Sequence, residues 1–138
     1  MDISLTDPRV QKVKHYNKHP SGVEAIEICR LMSFNLGNCM KYLFRLKDKD
    51  GPRINAQKAL WYCLDEIAFR QPLTRLPNPE GSVIVRKTMR LVLDNEPDSS
   101  VRQCMRYIYL ADITRDGYFF EQAKLYLSAL VAKQINNS

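Results

Sequence analysis

Phe34, Asn38, Lys41 and Arg45 follow one another at intervals of four, three and four residues. On an α-helix that spacing puts them on one narrow stripe. The stripe offers an aromatic ring, a neutral amide and two cations. A phosphorylated, base-bearing ligand needs such a set: Arg and Lys for phosphate oxygens, the amide for orientation and the ring for stacking. A charged stripe opposite an apolar face is also what any solvated surface helix shows.

Further residues bear on the choice. Gly37 lies inside the same helical pattern, where glycine costs roughly 1 kcal/mol against alanine, so a close approach to the backbone is expected there. Lys58, Tyr62 and Asp65 form a second polar stripe on the next helical segment, and two such stripes can face one cleft. Trp61 and Tyr62 can stack on a base or simply pack. Glu24 and Glu27 lie one turn apart and can hold Mg²⁺ or a water, although a capping role already accounts for Glu24. Arg86, Lys87 and Arg90 make a basic patch of the kind that is usually solvated.

These residues need helices to hold them. Residues 1–20 carry Pro8 and Pro20 and no apolar period, and read as an irregular arm. Ser21-Gly22-Val23-Glu24 has the form of a capping box, opening a helix of roughly ten residues that ends near Met32. Ser33 can cap a second helix to about Lys47, with Leu36, Cys39, Met40, Leu43 and Leu46 as its apolar face. Asp48-Lys49-Asp50-Gly51-Pro52 stops it. Asn55 can cap a third helix, whose buried stripe is Ala56, Ala59, Leu60, Cys63, Leu64 and Ile67. Residues 72–81 hold three prolines and a glycine and read as the main connector. Helices over 82–94, 99–114 and 118–134 complete the chain. The expected fold is all-α: about six helices in two groups of three forming a single domain over residues 1–138, with halves at 15–71 and 82–138.

An internal repeat supports the grouping. Cys39-Met40-Lys41-Tyr42-Leu43-Phe44 parallels Cys104-Met105-Arg106-Tyr107-Ile108-Tyr109, and at the same offset Gln57, Leu60 and Trp61 meet Gln122, Leu125 and Tyr126. A duplicated helical hairpin explains this pattern.

Composition narrows the partners. The net charge of +6 favours anions such as nucleotides, nucleic acid or an acidic protein. No run of about 18 apolar residues and no basic-then-apolar leader occurs, so a cytoplasmic protein without a membrane partner is expected. Cys29, Cys39, Cys63 and Cys104 lie far apart among apolar residues and read as buried free thiols. No metal site is expected, since Pro20 disfavours helix at His19 and so opposes a helical pair with His15. There is no Gly-x-x-x-x-Gly-Lys loop, no Gly-x-Gly-x-x-Gly and no Ser/His/Asp pattern.

Several elements occur in a telling order: His15-Tyr16; Gly22, Glu24 and Ile26; Phe34-x-x-Gly37-Asn38-x-x-Lys41-Tyr42-x-x-Arg45; and Lys58-Ala59 with Tyr62. Together, over about a third of the chain, they resemble a family of small phage proteins of formerly unknown function described as nucleotide-kinase-like. The resemblance implies the deoxynucleoside monophosphate kinase activity of a podovirus member, with a nucleoside triphosphate as donor, no Walker A loop and no tightly bound cofactor. Mg²⁺ would accompany the triphosphate, and a phage-encoded chain would work in the host cytoplasm. Carried over by position, Lys41, Arg45 and His15 are the catalytic candidates, and Tyr16, Glu24, Asn38, Lys58 and Tyr62 the substrate-binding ones. The chain departs from the pattern at Asn55, where the family usually has an acidic residue.

Two functions stay close together. In the first, a nucleoside monophosphate kinase, Lys41 and Arg45 neutralise the transferring phosphoryl group while Asn38 and Tyr16 position the acceptor. In the second, the same cleft sequesters a nucleotide or a cyclic-nucleotide signal of host defence without turnover. Nucleic-acid binding rests on net charge alone and ranks lower. A nucleoside triphosphate pyrophosphohydrolase using Glu24, Glu27, Asp65 and Glu66 has too few carboxylates at the expected spacing. Shallow sites on small helical proteins are often completed across a symmetric interface, so a homo-oligomer is expected.

Overall fold

The computed structural model describes Thr6, residues 19–69 and residues 79–137. Among them are six helices and no strand: α1 (Ala25–Cys29), α2 (Phe34–Phe44), α3 (Gly51–Phe69), α4 (Pro79–Asn95), α5 (Ser99–Thr114) and α6 (Gly117–Asn136). The all-α class expected from periodicity is the class of the molecule.

Two hairpins make the body. α2 packs on α3 and α5 on α6, while α3 also packs on α6 and α2 on α5, so the four helices close a circuit in the order α2, α3, α6, α5. α1 lies against α2, and α4 bridges α1 and α5. One apolar cluster runs through both hairpins, with Leu36, Met40 and Leu43 from α2, Ala59 and Cys63 from α3, Met105 and Ile108 from α5, and Phe120 and Leu127 from α6. The cysteines are free, with Cys39, Cys63 and Cys104 buried and Cys29 half-buried. Loss of hydration pushes the thiols of Cys29, Cys63 and Cys104 up to about 12, so they behave as small apolar groups.

Several helix ends differ from the sequence expectation. α1 is half the expected length, because the chain tightens into three-residue turns, with Leu31 N–H donating to Ile28 O at 3.0 Å and Met32 N–H to Cys29 O at 3.1 Å. Ser21 does not begin α1. Its hydroxyl accepts Val23 N–H at 3.1 Å, whereas Glu24 is the N-cap and Glu27 accepts Glu24 N–H at 2.6 Å. α2 ends at Phe44, short of Lys47. α3 begins four residues before the expected cap, after a reversal in which Asp50 and Gly51 take φ of 76° and 82°. Pro52 then occupies the first turn, where its missing N–H costs nothing.

Asn55 is therefore inside α3, buried, and caps a different helix. Its side-chain amide donates to the carbonyls of Arg45 (2.9 Å), Leu46 (3.2 Å) and Lys49 (3.0 Å), fastening the open end of α2 to the first turn of α3. α4 also starts early, at Pro79, within the stretch expected to be connector. The first-turn position tolerates that proline for the same reason as Pro52.

The internal repeat is present with one change of register. Leu36, Cys39, Met40 and Leu43 correspond in burial to Val101, Cys104, Met105 and Ile108, an offset of 65 in number. In the second helix of each hairpin the buried positions Ala56, Ala59 and Cys63 correspond to Phe120, Ala123 and Leu127, an offset of 64. From the first helix to the second, equivalent positions are one residue closer in the second hairpin, so Tyr62 rather than Trp61 is the counterpart of Tyr126.

Candidate functional site

The two polar stripes meet along the outer seam of α2 and α3. Their centre is Tyr42, four residues after Asn38 and three before Arg45, which the helical period puts on the same stripe. Its ring stacks on Tyr62 across the seam, with centroids 5.9 Å apart and planes 15° from parallel. Three cations surround that ring: Lys41 Nζ lies 4.8 Å, Lys58 Nζ 5.4 Å and the Arg45 guanidinium carbon 5.8 Å from its centroid. The negative face of an aromatic ring attracts cations, which helps to hold three like charges in one place. Lys58 is further held by Asp50, at 3.2 Å.

Tyr62 carries the aromatic surface outward. Phe34 stands edge-on to it at 6.3 Å and Trp61 at 5.1 Å, and these two rings are 77% and 59% exposed. Rings of this size left in water cost free energy that burial against a ligand would recover. The face thus joins a cluster of positive charge to exposed π surfaces.

The remaining sequence candidates fall into place around it. The Asn38 side chain donates to Phe34 O at 2.8 Å, so it is anchored at the edge of the face, half-buried. Gly37 is buried on the other side of α2. A Cβ there would stand 3.0 Å from Cys29 O, so the close approach expected at Gly37 is that of α1, not of a ligand. Glu24 sits at the start of α1 in its capping arrangement and does not take part in the cation cluster. His15 and Tyr16 lie outside the described residues. Tyr42 and Asp50 are the residues that the sequence reading passed over as site members, and for Tyr42 the helical arithmetic that selected its neighbours would have selected it too.

Asn55 is not on this face. Its amide is spent on three carbonyls, and its Oδ1 is buried without a partner. The carboxylates of the pyrophosphohydrolase reading do not converge. Glu27 caps α1, Asp65 accepts from Asn35 at 2.9 Å, and Glu66 accepts from Arg115 at 3.2 Å and from the Ser33 hydroxyl at 3.4 Å. Among the described residues no group of three His, Cys, Asp or Glu side chains stands close enough to hold a metal ion.

His19 is engaged elsewhere. It is 6% exposed, tilted against Phe44 at 5.2 Å, and its Nε2 lies 3.0 Å from a Glu96 carboxylate oxygen. Ser21 N–H donates to its Nδ1 at 3.1 Å, so Nε2 carries the proton and donates to Glu96. This pair joins the segment before α1 to the link between α4 and α5. Beside it is a pocket of about 200 Å³ lined by Leu43, Lys47, Asp98 and Val101 among others. That pocket is on the far side of α2's end from the aromatic face and has no concentration of positive charge.

Residues 10–64 match a family model described as a protein of unknown function (DUF3310). The match spans α1, α2 and most of α3, and so contains every member of the cation and aromatic cluster. No curated protein and no solved structure matches the chain. No helix among the described residues is long and apolar enough to cross a membrane.

Proposed function

We propose that the α2–α3 face binds a nucleotide, with Lys41, Arg45 and Lys58 taking phosphate oxygens and Phe34, Trp61 and Tyr62 offering surfaces to the base. The observation that carries this reading is the gathering of three cations around Tyr42, beside exposed rings. Charge-assisted bonds to phosphate reward such a cluster, whereas in the free protein like charges within one patch repel. Asn38, fixed by its bond to Phe34 O, holds its amide oxygen at the rim for orientation.

Two activities use such a face. Phosphoryl transfer to a deoxynucleoside monophosphate is what the family resemblance implies, with Lys41 and Arg45 neutralising developing charge and His15 and Tyr16 completing the set. Mg²⁺ then belongs to the triphosphate donor, carried by its phosphate oxygens. Retention of one nucleotide without turnover is favoured by a specific observation: Asp50, Asp65 and Glu66, the carboxylates of the α3 side, are each already bonded to a neighbour.

A screen by calorimetry against mono-, tri- and cyclic nucleotides tests the shared premise. Arg45→Ala is expected to fold normally and lose binding. Wild-type affinity in that variant would remove Arg45 from the site. Chromatography of the protein mixed with a nucleoside triphosphate and each deoxynucleoside monophosphate, with and without Mg²⁺, separates the activities. Diphosphate that disappears in Lys41→Ala supports the kinase, and tight binding with no diphosphate from any acceptor leaves sequestration. Sedimentation with and without ligand tests the homo-oligomer.

A further inference from the structure

The second hairpin repeats the geometry of the first and changes its chemistry. Tyr107 stacks on Tyr126 with centroids 5.2 Å apart and planes 10° from parallel, as Tyr42 does on Tyr62. By the two offsets, Ser99 stands where the first hairpin has Phe34, Gln103 where it has Asn38, Arg106 where it has Lys41, Leu110 where it has Arg45 and Gln122 where it has Lys58. The replacement of Phe34 by Ser99 removes a ring from the edge of the tyrosine stack. At that place α5 and α6 border an open cleft of about 410 Å³, lined by Ser99, Ser100, Gln103, Tyr126 and Lys133 with Leu130 as apolar floor.

We infer that this cleft is a second ligand site, taking a nucleoside or a nucleoside monophosphate. Its volume is within the ordinary range for small-ligand pockets, about 300–1,000 Å³. Tyr126, held by its stack on Tyr107, also lines the cleft and is half-buried, so part of its ring surface is offered to a base. Gln103 Oε1 accepts from Arg106 at 3.3 Å, so the amide is oriented with its NH₂ free to donate to a base edge. Hydroxyls at Ser99 and Ser100 suit a sugar. Lys133 is the one cation in the wall, which matches a single phosphate and not a polyphosphate.

The two sites cannot serve as donor and acceptor for each other. The α2–α3 seam and the α5–α6 seam lie on opposite sides of the four-helix circuit, separated by the packed core. The second site is therefore an independent binding event. It rests on the proposed reading of the first face only for the class of ligand.

Trp61, the sole tryptophan, stands on the first face, so its fluorescence reports that face while calorimetry reports both. Each deoxynucleoside 5′-monophosphate is titrated into the full chain by both methods, with inorganic phosphate as control. The expected result is two equivalents bound by heat, only one of them seen by Trp61. Ser99→Phe restores the ring that the first hairpin carries, and Ser99 is exposed, so the fold should be untouched. It is expected to remove the calorimetric equivalent that Trp61 does not see, and Lys133→Ala to weaken that equivalent by about tenfold or more. One equivalent, lost in Arg45→Ala and kept in Ser99→Phe, overturns the second site while leaving the first. One equivalent silent to Trp61 and lost in Ser99→Phe supports the second site and rejects the first. No binding by either method, or equal binding of inorganic phosphate in the cleft, overturns the inference.

Discussion

The two hairpins share a skeleton and differ in what they hold at the surface. Each has a tyrosine stack across its seam and buried apolar residues at equivalent positions beneath it. In the first the stack is ringed by Lys41, Arg45 and Lys58, and in the second the same positions are Arg106, Leu110 and Gln122. Packing thus requires the tyrosines and the core beneath them but not the cations at the places of Arg45 and Lys58. A feature present in one copy and dispensable in the other is better explained by a ligand than by the fold, and the experiments that follow break or sharpen that contrast.

The largest effect tests the shared skeleton. Leu43 and Ile108 are both buried at equivalent places, so Leu43→Ala and Ile108→Ala should each destabilise by roughly 2–5 kcal/mol. Denaturant melts measure this. A small loss at Ile108 alone would show that the second hairpin does not carry its share of the core.

Asn55 comes next, because the first hairpin depends on it and the second has Phe119 at that position, with no such amide. Asn55→Asp replaces two donors with an acceptor in front of three carbonyls, and should cost about 2–3 kcal/mol. The variant is expected to keep nucleotide affinity once corrected for the unfolded fraction. A gain of activity on introducing the carboxylate would instead restore Asn55 to the site.

Much of this was legible from the sequence, and the failures have physical causes. The six helices of the described residues were legible by different signals, α1 by its capping-box pattern and α2 and α3 by their apolar stripes, and the α2 stripe of Phe34, Asn38, Lys41 and Arg45 follows from 3.6-residue geometry alone. Helix ends were harder, since Asn55 resembles an N-cap by type yet caps another helix through contacts nine and ten residues back in the chain. Gly37 shows the same limit: the sequence announces a close approach but not what approaches. The joining of the two polar stripes at Tyr42 depends on how α2 and α3 are rotated about their axes, which the shared apolar faces fix only once packed. The repeat read at a single offset already sets Ser99 against Phe34, but it pairs Tyr126 with Trp61, so the matching of the two tyrosine stacks needed the one-residue change of register between hairpins.

Gly37→Ala tests the contrast on the buried side of α2. Its Cβ would press on Cys29 O at 3.0 Å and push α1 away, costing about 1–3 kcal/mol despite alanine's better helix propensity. The second copy has Arg102 at this position, half-buried, with its guanidinium donating to Glu96 O at 2.8 Å. Arg102 thus fastens α5 to the link that precedes it, where Gly37 makes room for α1. Arg102→Ala should therefore lose only the bonds to Glu96 O, a smaller effect. Equal costs in the two variants would mean that Gly37 is not retained for the approach of α1.

The smallest effect on stability is the most informative about function. Lys58 pairs with Asp50 on the surface, both side chains being about two-fifths exposed, and such pairs contribute roughly 0–1 kcal/mol. Lys58 also stands with Lys41 and Arg45 around one ring, so its removal relieves repulsion between like charges. The two contributions oppose each other, and Lys58→Ala should melt within about 0.5 kcal/mol of wild type. If the cluster exists for a phosphorylated ligand, the same variant should lose affinity, and the loss should shrink as salt screens the charges. Melting and titration of one sample at low and high ionic strength separate the outcomes. Unchanged affinity with lowered stability would mean that the cations serve the fold after all, and the difference between the two hairpins would then need a structural cause.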